Sequence, residues 1–380
     1  MAKAKNVEEA EESTGSGKSS KDIMSSILKS GKTDHYNFEE TITYKIPSSS
    51  MILNTALGGG INPGCVRLSG ITAGGKSSCA LDFLTNFLKE ATSKDDRRGV
   101  YFKCEGRLSD EMKVRTGIKF VSTSEEWESG TCLVIDSNIF EFVFDTIRQL
   151  IMNNDTKCKF FFIIDSVDMM VKRSDLQKSF DDAQSVAGGA LLTSVFLKKV
   201  SVAMSKRGHV AVFISQVRET VKINPYDKTP PKQGNASGGH ALEHAQDVVL
   251  EFLPRFNDDI IRENPAEKGS KPIGHYAKCK IVKANNESYL QEVKYPIAYG
   301  RKNGTSIWRE KEVLDMLMMF ELVKRAGAWY KVSELLIKEL ADNNVIIEEK
   351  FQGIDSLDQW LQNTPAAVDY LAEKMSKLLM

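Results

Sequence analysis

One short stretch, residues 68 to 84, constrains the fold of this 380-residue chain more than any other. It reads LSGITAGGKSSCALDFL and places Gly70, Gly74, Gly75, Lys76 and Ser77 between two apolar segments. The first apolar segment predicts a β-strand and the second a helix, so the glycines fall in a tight loop between them. A strand, a glycine-rich loop and a helix in this order predict an α/β fold with a phosphate-binding loop.

The spacing Gly70-x-x-x-x-Gly75-Lys76-Ser77 matches the phosphate-loop pattern, and each residue type has a chemical reason. Glycines let successive backbone N–H groups converge on one point, where the N-terminal end of the next helix adds positive potential. The lysine ammonium suits the terminal phosphates of a nucleotide, and the serine hydroxyl suits a magnesium ion. We therefore expect a nucleoside di- or triphosphate with Mg²⁺ at this loop.

Composition excludes several classes of protein. Lys plus Arg and Asp plus Glu both number 51, so the net charge is zero and any DNA binding must come from local basic loops. The six cysteines are scattered without a C-x-x-C pair, which argues against disulfides and a zinc site. Since no apolar run is long enough for a membrane span or a signal peptide, the sequence predicts a soluble cytoplasmic protein with no membrane partner.

The hydrophobic pattern divides the chain into three predicted parts. Residues 1–45 combine a charged, disordered tail of about twenty residues with one short helix and a strand. Residues 46–298 alternate short apolar strands with amphipathic helices, which is typical of a mostly parallel, twisted sheet covered on both faces. Residues 299–380 change to short segments of mixed charge and predict a separate, small α+β domain.

Particular elements follow from the periodicity. The N-terminal helix carries Ile23, Met24, Ile27 and Leu28 on one stripe and ends at Gly31, and the stripe would dock on the same chain or on a neighbouring subunit. The predicted strands are 99–103, 131–136, 159–165, 210–216, 247–252 and 276–282. The clearest predicted helices are 139–152 and 188–205.

Acidic residues at strand ends are candidates for the rest of a nucleotide site. Asp165 follows five consecutive apolar residues, which predicts a buried strand beside the phosphate-loop strand and a magnesium ligand at its end. Asp136 ends a similar strand but is better explained as a cap on the next helix. Glu105 ends a third strand at the ligand-binding edge of the sheet, where it would act as a general base or lie exposed.

Several segments occur in the order found in one family of proteins. They are SSSMILNTALGGGINPGCV, YFKCEGRLSDEMKVRTGI, FFFIIDSV, VFISQVRETVKI, NASGGHALEHAQDVVLEF, and VKRAGAWYKV followed by LDQWLQNTPAAVDYLAEK. In these segments, which cover most of residues 46–380, the chain resembles the RecA family of bacterial homologous recombinases, and in particular a divergent phage-type member. The resemblance implies a phosphate-loop NTPase core of the RecA type.

The resemblance also implies a set of nucleotide-site roles. ATP and Mg²⁺ would bind with Glu105 as catalytic base, Asp165 and Ser77 on the metal, and Gln216 as the sensor of the terminal phosphate. A glutamine at a strand end can bond a phosphate oxygen and its own loop, which supports that role independently. The remaining implied contacts are Gly70, Gly74, Gly75, Lys76 and Ser78 with the phosphates, Tyr299 near the adenine, and Lys283 with the ATP of a neighbouring subunit.

Two loops would contact DNA. Residues 217–239 form a long segment with three prolines and almost no apolar periodicity, which predicts a functional or disordered loop. In the family this position is the second DNA-binding loop, and phosphate contacts there bind without reading sequence. The predicted DNA contacts are Arg218, Lys222, Lys228, Lys232, Gly238 and Gly239, with Val221 or Ile223 as a wedge between bases, and Lys172, Arg173 and Lys178 in a first loop.

The chain departs from the family pattern at four positions. Asn285 stands where a second lysine usually reaches across the subunit interface, which predicts slower or differently controlled hydrolysis. Glu243 and His244 replace a lysine and an aromatic residue, so coupling between subunits is expected to differ. Met112 stands where an aromatic residue often faces the base, and it leaves the nucleotide selectivity open.

The leading hypothesis is a DNA-dependent ATPase that forms a filament on single-stranded DNA, takes up duplex DNA and exchanges strands. Its partners would be both forms of DNA, further copies of itself, a loading mediator and a single-strand-binding protein. A ring helicase with the same core and a non-catalytic recombination mediator are the alternatives. The short N-terminal region argues against the helicase, and the presence of Glu105 and Lys76 argues against the mediator.

Overall fold

The computed structural model describes most of the chain, in ranges separated by short gaps and one long one. They are 19–93, 96–106, 108–154, 157–176, 178, 188–216, 245–264, 267, 269–284, 291–302 and 304–379. The predicted disordered tail lies almost wholly outside these ranges, and so does the predicted second DNA loop. The chain groups into two compact units, residues 1–40 and residues 41–380.

Regular elements fill most of the described ranges. The helices are α1 (Ser20–Ser30), α2 (Met51–Ala56), α3 (Lys76–Lys89), α4 (Asp110–Thr116), α5 (Phe140–Met152), α6 (Gly188–Lys206), α7 (Arg309–Met319), α8 (Glu334–Asp342), α9 (Ile354–Asn363) and α10 (Pro365–Leu379). The strands are β1 (Gly64–Gly70), β2 (Arg97–Lys103), β3 (Lys119–Val121), β4 (Thr131–Ile135), β5 (Lys159–Asp165), β6 (Val210–Ile214), β7 (Val248–Phe252), β8 (Ile260–Arg262), β9 (Pro272–Lys283), β10 (Glu292–Ala298), β11 (Val323–Ala326), β12 (Trp329–Val332) and β13 (Lys350–Gln352).

The N-terminal unit confirms the predicted amphipathic helix. Ser19 caps α1 by accepting a hydrogen bond from the Asp22 N–H at 3.2 Å, and Gly31 follows the last helical residue as predicted. The stripe side chains Ile23, Met24 and Ile27 are about half exposed. A helix with an open apolar stripe gains little from its own packing, because most helix stability in proteins comes from burying such a face.

The second unit is built on one large mixed sheet. Ten described strands belong to it, and the path through hydrogen-bonded neighbours is β10-β9-β7-β1-β6-β5-β2-β4-β3, with β8 on β9. Neighbours from β7 through to β3 run parallel, whereas β9, β10 and β8 add an antiparallel edge. The predicted α/β fold with a mostly parallel sheet is confirmed. The sequence analysis missed β10 and β8 in that edge.

Helices cover both faces of the sheet, which explains why its central strands read as apolar runs. On one face, α3 buries Phe83, Leu84 and Phe87 against residues of the central strands. On the other face, the ring of Phe144 from α5 stacks on Phe196 from α6 with centroids 4.2 Å apart. Strands β1, β5 and β6 are almost wholly buried, and their carboxyl ends meet at one edge.

Residues after 300 form the predicted mixture of helices and strands. Strands β11, β12 and β13 make a three-stranded antiparallel sheet, which packs with α7 to α10 around a separate apolar cluster. The carboxylate of Glu312 on α7 accepts hydrogen bonds from the Met51 and Ile52 N–H groups at the start of α2. This buried carboxylate connects the C-terminal elements to the core, and residues 41–380 group as one compact unit. A domain boundary at residue 299 stays a prediction.

Candidate functional site

The phosphate-loop pattern lies between β1 and α3, as the sequence predicts. Gly70 has φ +131°, and a Cβ atom there would lie 2.2 Å from the Phe252 carbonyl oxygen on β7. Gly75 has φ +105° and is the N-terminal cap of α3. Both conformations favour glycine, and the first also needs the space. The glycines therefore let the loop turn tightly against β7 and enter the helix.

Lys76 is the buried cation of this loop. Its ammonium group donates to the Gly70 carbonyl oxygen at 3.0 Å and to the Ile71 carbonyl oxygen at 2.6 Å. The side chain therefore folds back over the loop, at the N-terminus of a 14-residue helix. A helix N-terminus with converging backbone N–H groups attracts anions, and a lysine beside it adds a full positive charge. The arrangement suits a phosphate group.

Ser77 and Asp165 meet directly, although they are far apart in sequence. The Ser77 hydroxyl donates to Asp165 Oδ2 at 2.7 Å, and the Tyr101 hydroxyl donates to the same oxygen at 2.6 Å. Burial, followed by the nearby Asp165 charge, raises the pKa of Tyr101 well above its usual range, so Tyr101 remains a donor. Hard oxygen ligands of this kind suit Mg²⁺, which keeps most of its other positions for water and phosphate.

Two expectations about the acidic strand ends are wrong. Asp165 does not end a strand beside β1, because β6 lies between β1 and β5 in the sheet. Ser77 and Asp165 still meet, because α3, which begins with Lys76 and Ser77, starts at the edge of the sheet where β1 and β5 end. Asp136 does not cap α5, whose cap residue is Ile139; instead it pairs with the Lys103 ammonium at 2.9 Å and is largely exposed.

Glu105 and Gln216 also come together at this edge of the sheet. Glu105 Oε1 accepts hydrogen bonds from the Ser166 hydroxyl and from Gln216 Nε2, the latter at 3.2 Å. Gln216 Oε1 lies 3.5 Å from the Thr72 hydroxyl of the phosphate loop. A carboxylate and an amide thus adjoin the loop that would hold the terminal phosphate. This is the geometry needed to orient a water molecule and to detect a phosphate oxygen.

These side chains line an open cleft of about 650 Å³ beside the phosphate loop. Met112, Arg115, His275 and Tyr299 also line this cleft, so Tyr299 and the phosphate loop belong to one site. The rings of His275 and Tyr299 are 5.4 Å apart. Burial and then the Arg255 charge lower the pKa of His275 from 6.5 to about 4, which makes it a neutral ring at ordinary pH. These two rings form an uncharged part of the lining, which suits a nucleobase.

Sequence reasoning missed several residues of the cleft. Arg115 donates from Nη2 to the Ser78 hydroxyl at 3.1 Å, and burial lowers its pKa. Ser166 contacts Glu105, and its position directly after Asp165 was a usable signal. Arg115 lies in the quoted segment YFKCEGRLSDEMKVRTGI, but neither it nor His275 matches a strand end or the phosphate-loop spacing, so only the tertiary fold shows that they reach the cleft.

The described part of the predicted DNA-binding set lies after β5. Lys172 is half-buried, and Arg173 and Lys178 are exposed, with the Lys178 ammonium 2.5 Å from Asp175 Oδ1. The first two follow the strand that carries Asp165, and the Arg173 N–H donates to Glu141 Oε2 on α5 at 3.0 Å. The predicted contacts Arg218, Lys222, Ile223, Lys228, Lys232, Gly238 and Gly239 lie outside the described residues.

The predicted subunit-interface residues are only partly described. Lys283 is exposed at the end of β9, and its charge acts on Asp247, whose pKa burial nevertheless raises. Glu243, His244 and Asn285 lie outside the described ranges. Among the residues that the structure describes, no group of three or more His, Cys, Asp or Glu could hold a metal, and no helix is long and apolar enough to cross a membrane.

Comparison with known proteins points to one family. The model of a family described as the RecA N-terminal domain matches residues 21–304. A protein named Protein RecA from Acholeplasma laidlawii is 27% identical over 355 residues, which cover 92% of this chain and 90% of the relative. Proteins of the same name from Ruminococcus albus and Bifidobacterium breve are 27% and 26% identical, over 79% and 85% of this chain and 67% and 78% of their own lengths.

Proposed function

Since the chain belongs to the RecA family, we propose that it is an ATP-dependent DNA recombinase, which forms a filament on single-stranded DNA and exchanges strands with homologous duplex DNA. The observation that carries this proposal is the contact between Glu105 and Gln216 beside the phosphate loop. The two residues are 111 positions apart in sequence. Because Gln216 contacts both Glu105 and the phosphate loop, the occupancy of the nucleotide site would govern the segment that follows Gln216.

In this proposal ATP binds with its phosphates on the loop and its base at the Tyr299 end of the cleft. Lys76 and the N-terminus of α3 would hold the phosphates, and Ser77 with Asp165 would hold Mg²⁺. The ion would neutralise charge as the terminal phosphoryl group is transferred. Glu105 would orient the attacking water, and Gln216 would bond the terminal phosphate when it is present.

Single-stranded DNA would lie across the two loops that leave this edge. Lys172 and Arg173 follow the strand that carries Asp165, and they and Arg218, the first cation after Gln216 in sequence, would contribute phosphate contacts. Neutralising one phosphate changes the dependence of log K on log salt by about 0.9 for duplex DNA and about 0.7 for single strands. Arg218→Ala should therefore lower the salt slope of single-strand binding, and an unchanged slope would remove Arg218 from the interface.

Self-assembly would place ATP between subunits, with Lys283 of one copy near the ATP of the next. The exposed stripe of α1 would then be buried on an adjacent copy. Deleting residues 1–31 should leave a folded protein that no longer assembles, and filaments that survive the deletion would contradict this role. Membership of the phage-type branch, and the loading mediator and single-strand-binding protein as partners, belong to the same proposal.

ATP hydrolysis with and without single-stranded DNA tests the proposal. The wild-type protein should hydrolyse ATP faster with DNA, and Glu105→Gln should bind ATP but lose roughly 10²- to 10⁴-fold in turnover, since a general base contributes about that much. Glu111→Gln, an exposed change on α4, is the matched control. Wild-type hydrolysis that ignores DNA would contradict the proposal, as would strand separation without a homologous single strand.

A further inference from the structure

The turn after β5 contacts both residues that would control hydrolysis, Glu105 and Gln216. It covers residues 166–169, and its last three form a short 3₁₀ helix, Val167–Met169. Its Ser166 hydroxyl donates to Glu105, and its Asp168 carboxylate accepts a hydrogen bond from the Gln216 backbone N–H at 2.6 Å. One short turn therefore fixes the position of Glu105 through Ser166 and the position of Gln216 through Asp168.

Asp168 supplies an acceptor that the sheet does not supply. Strand β6 ends at Ile214, and the Ser215 N–H still donates to the Leu68 carbonyl oxygen of β1 at 2.9 Å. The next N–H, of Gln216, donates to Asp168 Oδ2 instead. A hydrogen bond to an ionised carboxylate is stronger than one between neutral groups. Asp168 thus sets the backbone position from which the Gln216 side chain reaches Glu105.

Stability alone explains Asp168 poorly. Its second carboxylate oxygen, Oδ1, is buried and has no hydrogen-bond partner in the described part of the chain. A buried polar atom without a partner is unfavourable, so its presence calls for another reason. The Met169 carbonyl oxygen accepts a hydrogen bond from Asn138 at 3.2 Å, and the chain then continues to Lys172 and Arg173. The turn therefore joins the nucleotide site to a segment with exposed positive charge.

We propose that Asp168 is a positioning residue that couples this basic segment to ATP turnover by holding the backbone of Gln216. The inference rests on the proposed function. When DNA phosphates bind Lys172 and Arg173, the turn moves with these residues. Asp168 then shifts the Gln216 backbone, and the amide contact with Glu105 changes. Asp168 itself touches neither ATP nor the attacking water in this arrangement.

Two substitutions separate a hydrogen-bond acceptor from a general structural role. Asp168→Ala removes the acceptor, and Asp168→Asn keeps one oxygen for the Gln216 N–H while it removes the charge. Met169→Ala, at an exposed side chain in the same turn, is the control. The measurements are kcat and KM for ATP with saturating and with no single-stranded DNA, and the urea midpoint of each variant.

Asp168→Ala should lower the DNA-stimulated kcat roughly ten- to a hundredfold, the effect of losing one hydrogen bond to a charged group. KM should stay close to wild type, the urea midpoint should fall by no more than one lost hydrogen bond explains, and Asp168→Asn should retain most of the turnover. The inference is wrong if Asp168→Ala keeps full turnover, if Asp168→Asn loses as much, or if KM rises as kcat falls.

The proposed function and this inference can fail separately. Wild-type turnover that does not respond to DNA would refute the function, and the Asp168 variants would still report on the DNA-free turnover. If Asp168→Ala does not fold, Asp168→Glu replaces it, because it keeps the charge and displaces the carboxylate by one methylene. A folded Asp168→Glu with full turnover would overturn the inference, and one with reduced kcat and unchanged KM would support it.

Discussion

Replacing the two constrained glycines of the phosphate loop separates backbone strain from a steric clash. At Gly75, φ is +105° and the nearest atoms to an added Cβ lie 3.8 Å away, on Phe252. Gly75→Ala therefore meets conformational strain only, which costs about 1–2 kcal/mol. At Gly70, φ is +131° and the added Cβ would lie 2.2 Å from the Phe252 carbonyl oxygen.

The clash at Gly70 is with backbone, so β1 and β7 must separate. Overpacking of a well-packed site costs about 1–3 kcal/mol, and the strain adds about 1–2 kcal/mol, which gives a total of about 2–5 kcal/mol for Gly70→Ala. The Gly70 carbonyl oxygen also accepts from Lys76. We therefore expect this variant to lose nucleotide affinity as well as stability.

Urea unfolding of wild type, Gly70→Ala and Gly75→Ala measures the difference. Gly70→Ala should have a lower free energy of unfolding than Gly75→Ala by about the overpacking term, roughly 1–3 kcal/mol. Equal destabilisation would show that β7 does not confine the loop. A Gly70→Ala variant with wild-type stability would refute the left-handed geometry assigned to that residue.

Three further predictions test the electrostatics of the fold and the site. Burial, then the Arg207 charge, lowers the pKa of His209 from 6.5 to about 3, so stability present above about pH 6.5 is lost as the pH falls. Between about pH 7.5 and pH 5 the free energy of unfolding, measured in urea, should fall by about 2 kcal/mol. His209→Asn can still accept a hydrogen bond from the Phe160 N–H, and its free energy of unfolding should not show this fall. Arg115→Ala should weaken ATP binding in equilibrium titration, and unchanged affinity would exclude contact with the nucleotide. Lys283→Ala should reduce DNA-stimulated turnover while the monomer remains folded, and unaltered turnover would contradict an interface role.

Local signals predicted the parts of the fold that are locally encoded. The strand, loop and helix around Gly70 and Lys76 follow from residue types within seventeen positions, and the structure places them as predicted. The predicted α1 also ends where Gly31 indicates. Strand order could not be predicted in the same way. An apolar run such as that before Asp165 reports burial on both faces but does not identify its neighbours, and β6 intervenes.

The candidate site also contains residues with a local sequence signal and residues that only tertiary packing brings there. Asp165 and Glu105 follow strands at one edge of the sheet, so the strand-end argument found them, whereas the phosphate-loop spacing gave Ser77 and the family resemblance gave Gln216. Arg115 and His275 carry no such signal, because their positions in the cleft depend on how α4 and β9 pack. The misplaced role of Asp136 has the same origin, since its partner Lys103 lies on the neighbouring strand β2.

Electron microscopy of the purified protein with single-stranded DNA and a slowly hydrolysed ATP analogue tests the central claim most directly. Protein with DNA and no nucleotide, and Lys76→Ala with both ligands, are the controls. We predict continuous helical filaments that require the nucleotide and are absent with Lys76→Ala. Closed rings, or isolated particles in every sample, would contradict the proposed recombinase and leave a nucleotide-binding protein of another kind.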